Sequence, residues 1–439
     1  MPYDIIIGRD ESDKKKFGKK GLVKIGRSYV RMGQYTSLSN PIYLDVARSH
    51  VILVAGKRGS GKSYTLAGIA EEISQLPEEA RQNIAPLIFD TMGIFWTMKY
   101  QNEKEKHLLE EWGLKPKNLP VKVFAPAGYF KEYLEKGIPV DEPFALKVSE
   151  LNAEDWVIIF NLDLINPTSI LIERIVSTLK AKGDYDIQDI IYEIKNDKSA
   201  SQSEKNIAAS LFGGAETWGV FAKKGEQETK ITQLLNPGVT SIIDLSTYSS
   251  IAAFNVRALV IGLVSRKIFN ERIYTRKKEE IESVNKGINY QSTELKRDIP
   301  LVWIFIDEAH EFLPKEGSTS ATDSLVQILR EGRQPGISLV LATQQPGQIH
   351  RDVITQSDIV ISHRLTAFPD IKALNDIMQT YLLESIKKYI DDLPSLKGSA
   401  IILDDTSERI YPMRVKPRFT WHGGETPASV KAEKSGMFG

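Results

Sequence analysis

The stretch His50-Val51-Ile52-Leu53-Val54-Ala55 runs directly into Gly56-Lys57-Arg58-Gly59-Ser60-Gly61-Lys62-Ser63. The apolar half reads as a short buried strand. The glycine-rich half reads as a tight turn opening a helix that ends before Pro77. Residues 56–63 fit the pattern G-x-x-x-x-G-K-[ST] in full. Its glycines let successive backbone N–H groups point into one concavity, which suits phosphate oxygens. The helix start adds the positive end of its dipole. Lys62 would reach the outer phosphates, and the Ser63 hydroxyl suits Mg²⁺. The expected nucleotide contacts are Gly56, Arg58, Gly59, Ser60, Gly61, Lys62, Ser63 and Tyr64, with ATP and Mg²⁺ as the cofactors.

A second apolar run, Leu301-Val302-Trp303-Ile304-Phe305-Ile306, ends in Asp307-Glu308. Its unbroken apolar character fits a strand covered on both faces, and the C-terminal ends of such strands are where α/β sheets place ligands. Asp307 is expected to hold Mg²⁺ together with Ser63. Glu308 is expected to orient and deprotonate an attacking water. The following strand closes on Ala342-Thr343-Gln344-Gln345, where Gln344 either reports on the γ-phosphate or makes local hydrogen bonds. Between these strands, Leu329-Arg330-Glu331-Gly332-Arg333 closes a helix. Its arginines either complement the helix dipole or supply Arg333 as a finger to a neighbouring subunit's site. Arg364 is a second candidate. His50, His310 and His363 lack metal-ligand spacing and read as structural or hydrogen-bonding groups.

Working outward, short β-like runs between Tyr3 and Val46 suggest a small N-terminal β unit over 1–48. Strands alternating with helices over 49–100 and 237–420 indicate a mostly parallel sheet with both faces covered. Helical periodicity and charge over 101–236 suggest a mainly helical insertion, and 421–439 reads as a tail. A long helix is expected from Ser250 to about Ile273, with Ser249 or Ser250 as its cap. Residues 275–298 read as an exposed polar loop or hairpin.

The 439 residues hold 57 Lys plus Arg and 57 Asp plus Glu, so no nucleic-acid partner can be inferred from overall charge. Any such surface has to be local. Lys14 to Arg31 is one basic stretch, either a solvated, partly mobile segment or a patch facing phosphates. Cysteine is absent, which removes disulfides and thiolate-bound metal and fits a cytoplasmic protein. No apolar run approaches the roughly 20 residues needed to cross a bilayer. The opening MPYDIIIGRDESDKKK has no signal-like apolar region, so neither secretion nor a membrane is expected.

Taken in order, HVILVAGKRGSGKS, PLIFDTMGIFW, IDEAHEFLP, REGRQPGISLVLATQQP, HRLTAFPDI and RVKPRFTWHGGETP resemble the HerA–FtsK group of P-loop ATPases, and within it the HerA DNA translocases. The resemblance runs from about Ile42 to Pro427. It implies a RecA-like core, a helical insertion, and a hexameric ring threading DNA through its channel, with a NurA-like nuclease as a possible partner in DNA-end processing. It carries nucleotide binding onto Lys62 and Ser63, Mg²⁺ onto Asp307, catalysis onto Glu308, a sensor onto Gln344 and a finger acting in trans onto Arg333. The chain departs from the family in two places. Its N-terminal β unit is shorter than the usual barrel, and Asp90-Thr91-Met92-Gly93-Ile94-Phe95 replaces Asp-Pro-x-Gly-Glu-Tyr. The leading expectation is an ATP-driven translocase or helicase. The alternative is a regulatory ATPase that switches assembly of a nuclease or defence complex.

Overall fold

The computed structural model describes residues 3–32, 35–250, 254–286, 297–378 and 386–424. The strands form one sheet. Three belong to the N-terminal region: β1 (Ile5–Ile7), β2 (Leu22–Met32) and β3 (Tyr35–Asp45). The parallel part begins with β4 (Val51–Ala55) and β5 (Ile84–Asp90), then β6 (Val121–Pro126), β7 (Glu142–Phe144) and β8 (Thr240–Asp244). The later chain adds β9 (Leu301–Ile306), β10 (Ile337–Thr343), β11 (Ile359–His363), β12 (Ser399–Asp404) and β13 (Arg409–Val415). Their spatial order is β1-β3-β2-β13-β12-β11-β4-β10-β9-β5-β8-β6-β7.

From β11 to β7 every neighbouring pair is parallel. Parallel neighbours need crossovers, and the helices that make them cover both faces. Alternate residues of β4 therefore serve different layers. Ile52 and Val54 pack with Leu66, Ile69 and Ile73 of the phosphate-loop helix Lys62–Ile73 and with Ile7, Ile42 and Leu44 of the N-terminal strands. Leu53 and Ala55 face the other layer, which holds the long helix Phe254–Lys286 and the helices Pro167–Lys182, Ile187–Asn196 and Gln202–Glu216. Local chemistry starts those last three helices. Asn166 caps the first with Pro167 just inside, and Asp186 and Ser201 close capping boxes on the others.

The N-terminal strands join the same sheet, because β2 pairs antiparallel with β13. Within the basic stretch, Glu11–Phe17 is a helix, and Lys14, Lys19 and Lys20 pair with Glu11, Asp4 and Glu79. Those charges are partly neutralised by neighbours. The expected loop over 275–298 is corrected in its first half, because helix Phe254–Lys286 runs through it. Burial explains the extension. Arg272 is wholly buried, donates to the Pro335 and Ile299 carbonyls, and lies 3.5 Å from Glu279, which Arg297 also approaches at 3.3 Å. A polar composition conceals such a network. The expected caps Ser249 and Ser250 precede residues 251–253, which, with 287–296 and the tail beyond 424, lie outside the described residues.

Candidate active site

Strand β4 lies between β10 and β11, and the loop leaving it is tied to both. Gly56 N–H donates to the Thr343 carbonyl (3.3 Å), and Lys57 N–H to the Arg364 carbonyl (3.0 Å). Gly59 and Gly61 sit at φ +74° and +111°, conformations that a side chain would strain. Gly56 is required for a different reason. A Cβ there would come within 2.7 Å of His363 Cβ and collide with Ser60 Oγ. Lys62 is buried, and its ammonium donates to the Lys57 carbonyl across the loop (3.4 Å).

Two strands away, β9 delivers the acidic pair. Ser63 Oγ donates to Asp307 Oδ2 at 2.5 Å, bringing together residues 244 positions apart. The other Asp307 oxygen accepts from Glu308 N–H (2.9 Å). Burial raises the Asp307 pKa, opposed by the Ser63 hydrogen bond. Glu308 adopts φ +50°, ψ +43°, a left-handed conformation uncommon for a residue with a side chain. Burial and the adjacent Asp307 charge push its pKa up to about 7. Its Oε2 is buried without a hydrogen bond to any described residue, 3.6 Å from His310 Nδ1. The Gln344 backbone amide faces the same carboxylate and opposes the shift.

The remaining predicted residues are placed in different surroundings. Arg58 is exposed at the loop tip, and Ser60 Oγ is buried without a partner. Tyr64 faces the C-terminal segment: its hydroxyl donates to Glu105 Oε2 and accepts from Arg418 N–H, each at 2.7 Å, and its ring stands edge-on to His422. Arg364 is committed within its own chain, donating to the Leu393 carbonyl at 3.0 Å and to Ser395 Oγ at 3.4 Å. Arg333 is exposed and forms no hydrogen bond or ion pair with any described residue, whereas Arg330 pairs with Asp352 at 2.6 Å.

Sequence reasoning missed two features here. Asp90 and Asp244 end neighbouring strands in register, and burial together with Asp244 raises Asp90 to about 7. Their identical placement after apolar runs was the available signal. The second is Glu71 of the phosphate-loop helix. It binds Arg418 Nε (2.8 Å) and Phe419 N–H (2.8 Å), fastening the late segment Lys416–Trp421 over that helix. An acid directly after the apolar run Leu66–Ala70 hints at a buried cation, but only the fold identifies which one.

A mostly parallel sheet with a glycine loop and an acidic pair at its C-terminal edge defines the P-loop NTPase class. The VirB4 structure of Thermoanaerobacter pseudethanolicus shares this fold, with a TM-score of 0.54 over 90% of this chain and 96% of that one, at 10% identity. The chain belongs to the HerA helicase family: residues 25–268 match the family described as "Helicase HerA, central domain" and residues 295–416 the "Helicase HerA-like C-terminal" family. The DNA double-strand break repair helicase HerA of Pyrococcus furiosus is 28% identical over 214 residues, 44% of this chain and 37% of that protein. A probable helicase of Methanocaldococcus jannaschii is 22% identical over 440 residues, 97% of this chain and 76% of that one. The chain thus spans well under half the length of the Pyrococcus relative. No helix among the described residues is long and apolar enough to cross a membrane.

Proposed function

We propose that the chain binds and hydrolyses ATP and uses the energy to move on DNA as a hexameric ring in the cytoplasm. The observation that carries this reading is the meeting of Ser63 with Asp307 beside a buried Glu308 oxygen that has no hydrogen bond to a described residue. The phosphate loop presents its N–H groups and Lys62 to the phosphates. Glu308 takes the proton from an attacking water, and the side chain of Gln344, whose backbone N–H faces that carboxylate, senses the γ-phosphate. Arg333, exposed and unengaged, suits a finger reaching a neighbour's site better than Arg364, which its own chain holds.

The Ser63 hydroxyl and Asp307 carboxylate fit Mg²⁺, since both are hard oxygen donors in a part-buried setting. No group of three or more His or acidic side chains able to hold a metal occurs among the described residues. Ser63 and Asp307 would therefore share the ion with phosphate oxygens, as Mg²⁺ prefers. When bound, the ion would offset phosphate charge.

DNA as substrate rests on family membership and on relatives named as DNA double-strand break repair helicases. We assign 1–48 to an N-terminal unit, 49–100 and 237–420 to the motor core, 101–236 to an insertion and 421–439 to a tail. The loops 91–96 and 315–323 are candidates to line a DNA channel, and a NurA-like nuclease is a candidate partner. The second reading, a regulatory ATPase without processive movement, draws on the N-terminal strands merging with the main sheet through β2 and β13. The decisive measurement is ATP turnover with and without DNA. The motor reading expects stimulation by DNA, loss of turnover in Lys62→Ala, and displacement of a bound roadblock. Unchanged turnover with every DNA form and no DNA binding would sink it, while stimulation without roadblock displacement favours the regulatory reading.

A further inference from the structure

Beneath the phosphate loop lies a side chain that ATP hydrolysis by Glu308 and Lys62 does not use. His363 ends β11, is fully buried, and touches the loop at both ends. A Cβ on Gly56 would meet His363 Cβ at 2.7 Å, and one on Gly61 would lie 3.5 Å from His363 Cε1. The ring thus forms the floor under the loop's first and last glycines.

Its hydrogen bonds define its state. Nδ1 lies 3.1 Å from the Ser399 carbonyl, which can only accept, so Nδ1 carries the proton. Nε2 is then a bare acceptor, 2.8 Å from Thr65 Oγ1, whose single proton faces both this nitrogen and, at 3.0 Å, the Gly61 carbonyl. Thr65 sits in the first turn of the phosphate-loop helix, two residues after Ser63, and its backbone N–H bonds the Gly61 carbonyl at 2.9 Å. Burial lowers the His363 pKa to about 4, with Lys62 acting in the same direction. The ring therefore keeps a single proton near neutral pH. The chain of contacts continues outward, since Ser399 Oγ lies 2.9 Å from the Tyr29 hydroxyl on β2.

We infer that His363 is a positioning residue for nucleotide binding, bracing the phosphate loop through Thr65 and through its packing against Gly56 and Gly61. The role comes from tertiary placement: β11 and β12 hold the ring, and the ring holds the turn whose N–H groups must converge on phosphate. Preorganisation of this kind lowers the cost of binding and leaves the chemical step largely alone.

This inference rests on the reading of the loop as an ATP site, and the test separates the two. A fluorescent ADP analogue is titrated into the full chain, and ATP turnover is measured alongside. His363→Phe keeps the bulk and loses both hydrogen bonds. It is expected to weaken binding about tenfold and raise KM in parallel, with kcat changed less than about threefold. His363→Gln, whose amide can accept from Thr65 and donate to Ser399, should recover affinity to within about threefold of the parent. Thr65→Val removes the donor without touching the histidine and should match His363→Phe, with the double variant no worse than either single one. Should His363→Phe fail to fold, Thr65→Val decides. Folded variants that bind like the parent, or a Gln variant as weak as the Phe variant, overturn the role of His363. A parent protein that binds no nucleotide overturns the ATP-site reading instead.

Discussion

The two ends of β4 bury charge in opposite ways. At its C-terminal end, Asp307 and Glu308 are adjacent carboxylates with Lys62 as the nearby cation, and one Glu308 oxygen is unsatisfied. Near its N-terminal end, Arg9 meets Asp45 at 2.5 Å, and His50 Nδ1 meets Asp358 at 2.6 Å with its Nε2 3.8 Å from Asp45. Both places are buried, and both hold polar atoms with no hydrogen bond to a described residue (Glu308 Oε2 at one; Arg9 Nε, Asp45 Oδ2 and His50 Nε2 at the other), yet only at the second do opposite charges pair. Burial of charge is therefore not by itself a functional signal. Two adjacent like charges are, because their repulsion costs stability that something else must offset.

The largest expected effect breaks the mismatched end. Glu308→Gln should lower ATP turnover by roughly 10²–10⁴-fold while nucleotide binding persists, measured by turnover and by titration with a fluorescent nucleotide. Its melting temperature should stay level or rise, since the Gln removes a like charge beside Asp307. A variant that melts far lower would place Glu308 among the structural charges instead.

The matched end should respond the other way. Arg9→Ala leaves the Asp45 carboxylate buried without its main partner, a change that costs about 3–5 kcal/mol of stability. Denaturant unfolding should show that loss, while turnover per folded molecule stays near the parent's.

A smaller effect comes from pH. Burial alone would lower the His50 pKa, but Asp358 and Asp45 outweigh it and raise it to about 9. Arg9 and Asp404 face the same cluster, as does the Trp303 ring at 6.4 Å. A folded value above the unfolded 6.5 means the contribution is complete below pH 6.5 and lost as pH rises through 9. Thermal melts across that window should fall with pH in the parent, and fall less steeply in His50→Gln. The smallest effect is expected at Lys20, exposed beside Glu79: Lys20→Ala should leave both the melt and the turnover unchanged within error.

Much of the fold was legible because β4, β5 and β8 to β11 are apolar runs bounded by turns, and buried parallel strands require that pattern. Helix Phe254–Lys286 was read short because its last third is stabilised by Arg272 and Glu279, buried charges that look exposed in sequence. The basic stretch from Lys14 was equally ambiguous, since its partners Asp4 and Glu79 are identified only by folding.

The sequence by itself determined the phosphate loop at Gly56–Ser63 and the acidic pair after Ile306. Their chemistry is carried by residue types at fixed local spacing, which any strand-to-turn context displays. Only the tertiary structure decided that Ser63 meets Asp307, that one Glu308 oxygen stays unpaired, and that His363 rather than His310 lies under the loop. Pairing, burial and tautomer depend on neighbours hundreds of residues away, and no local pattern encodes them.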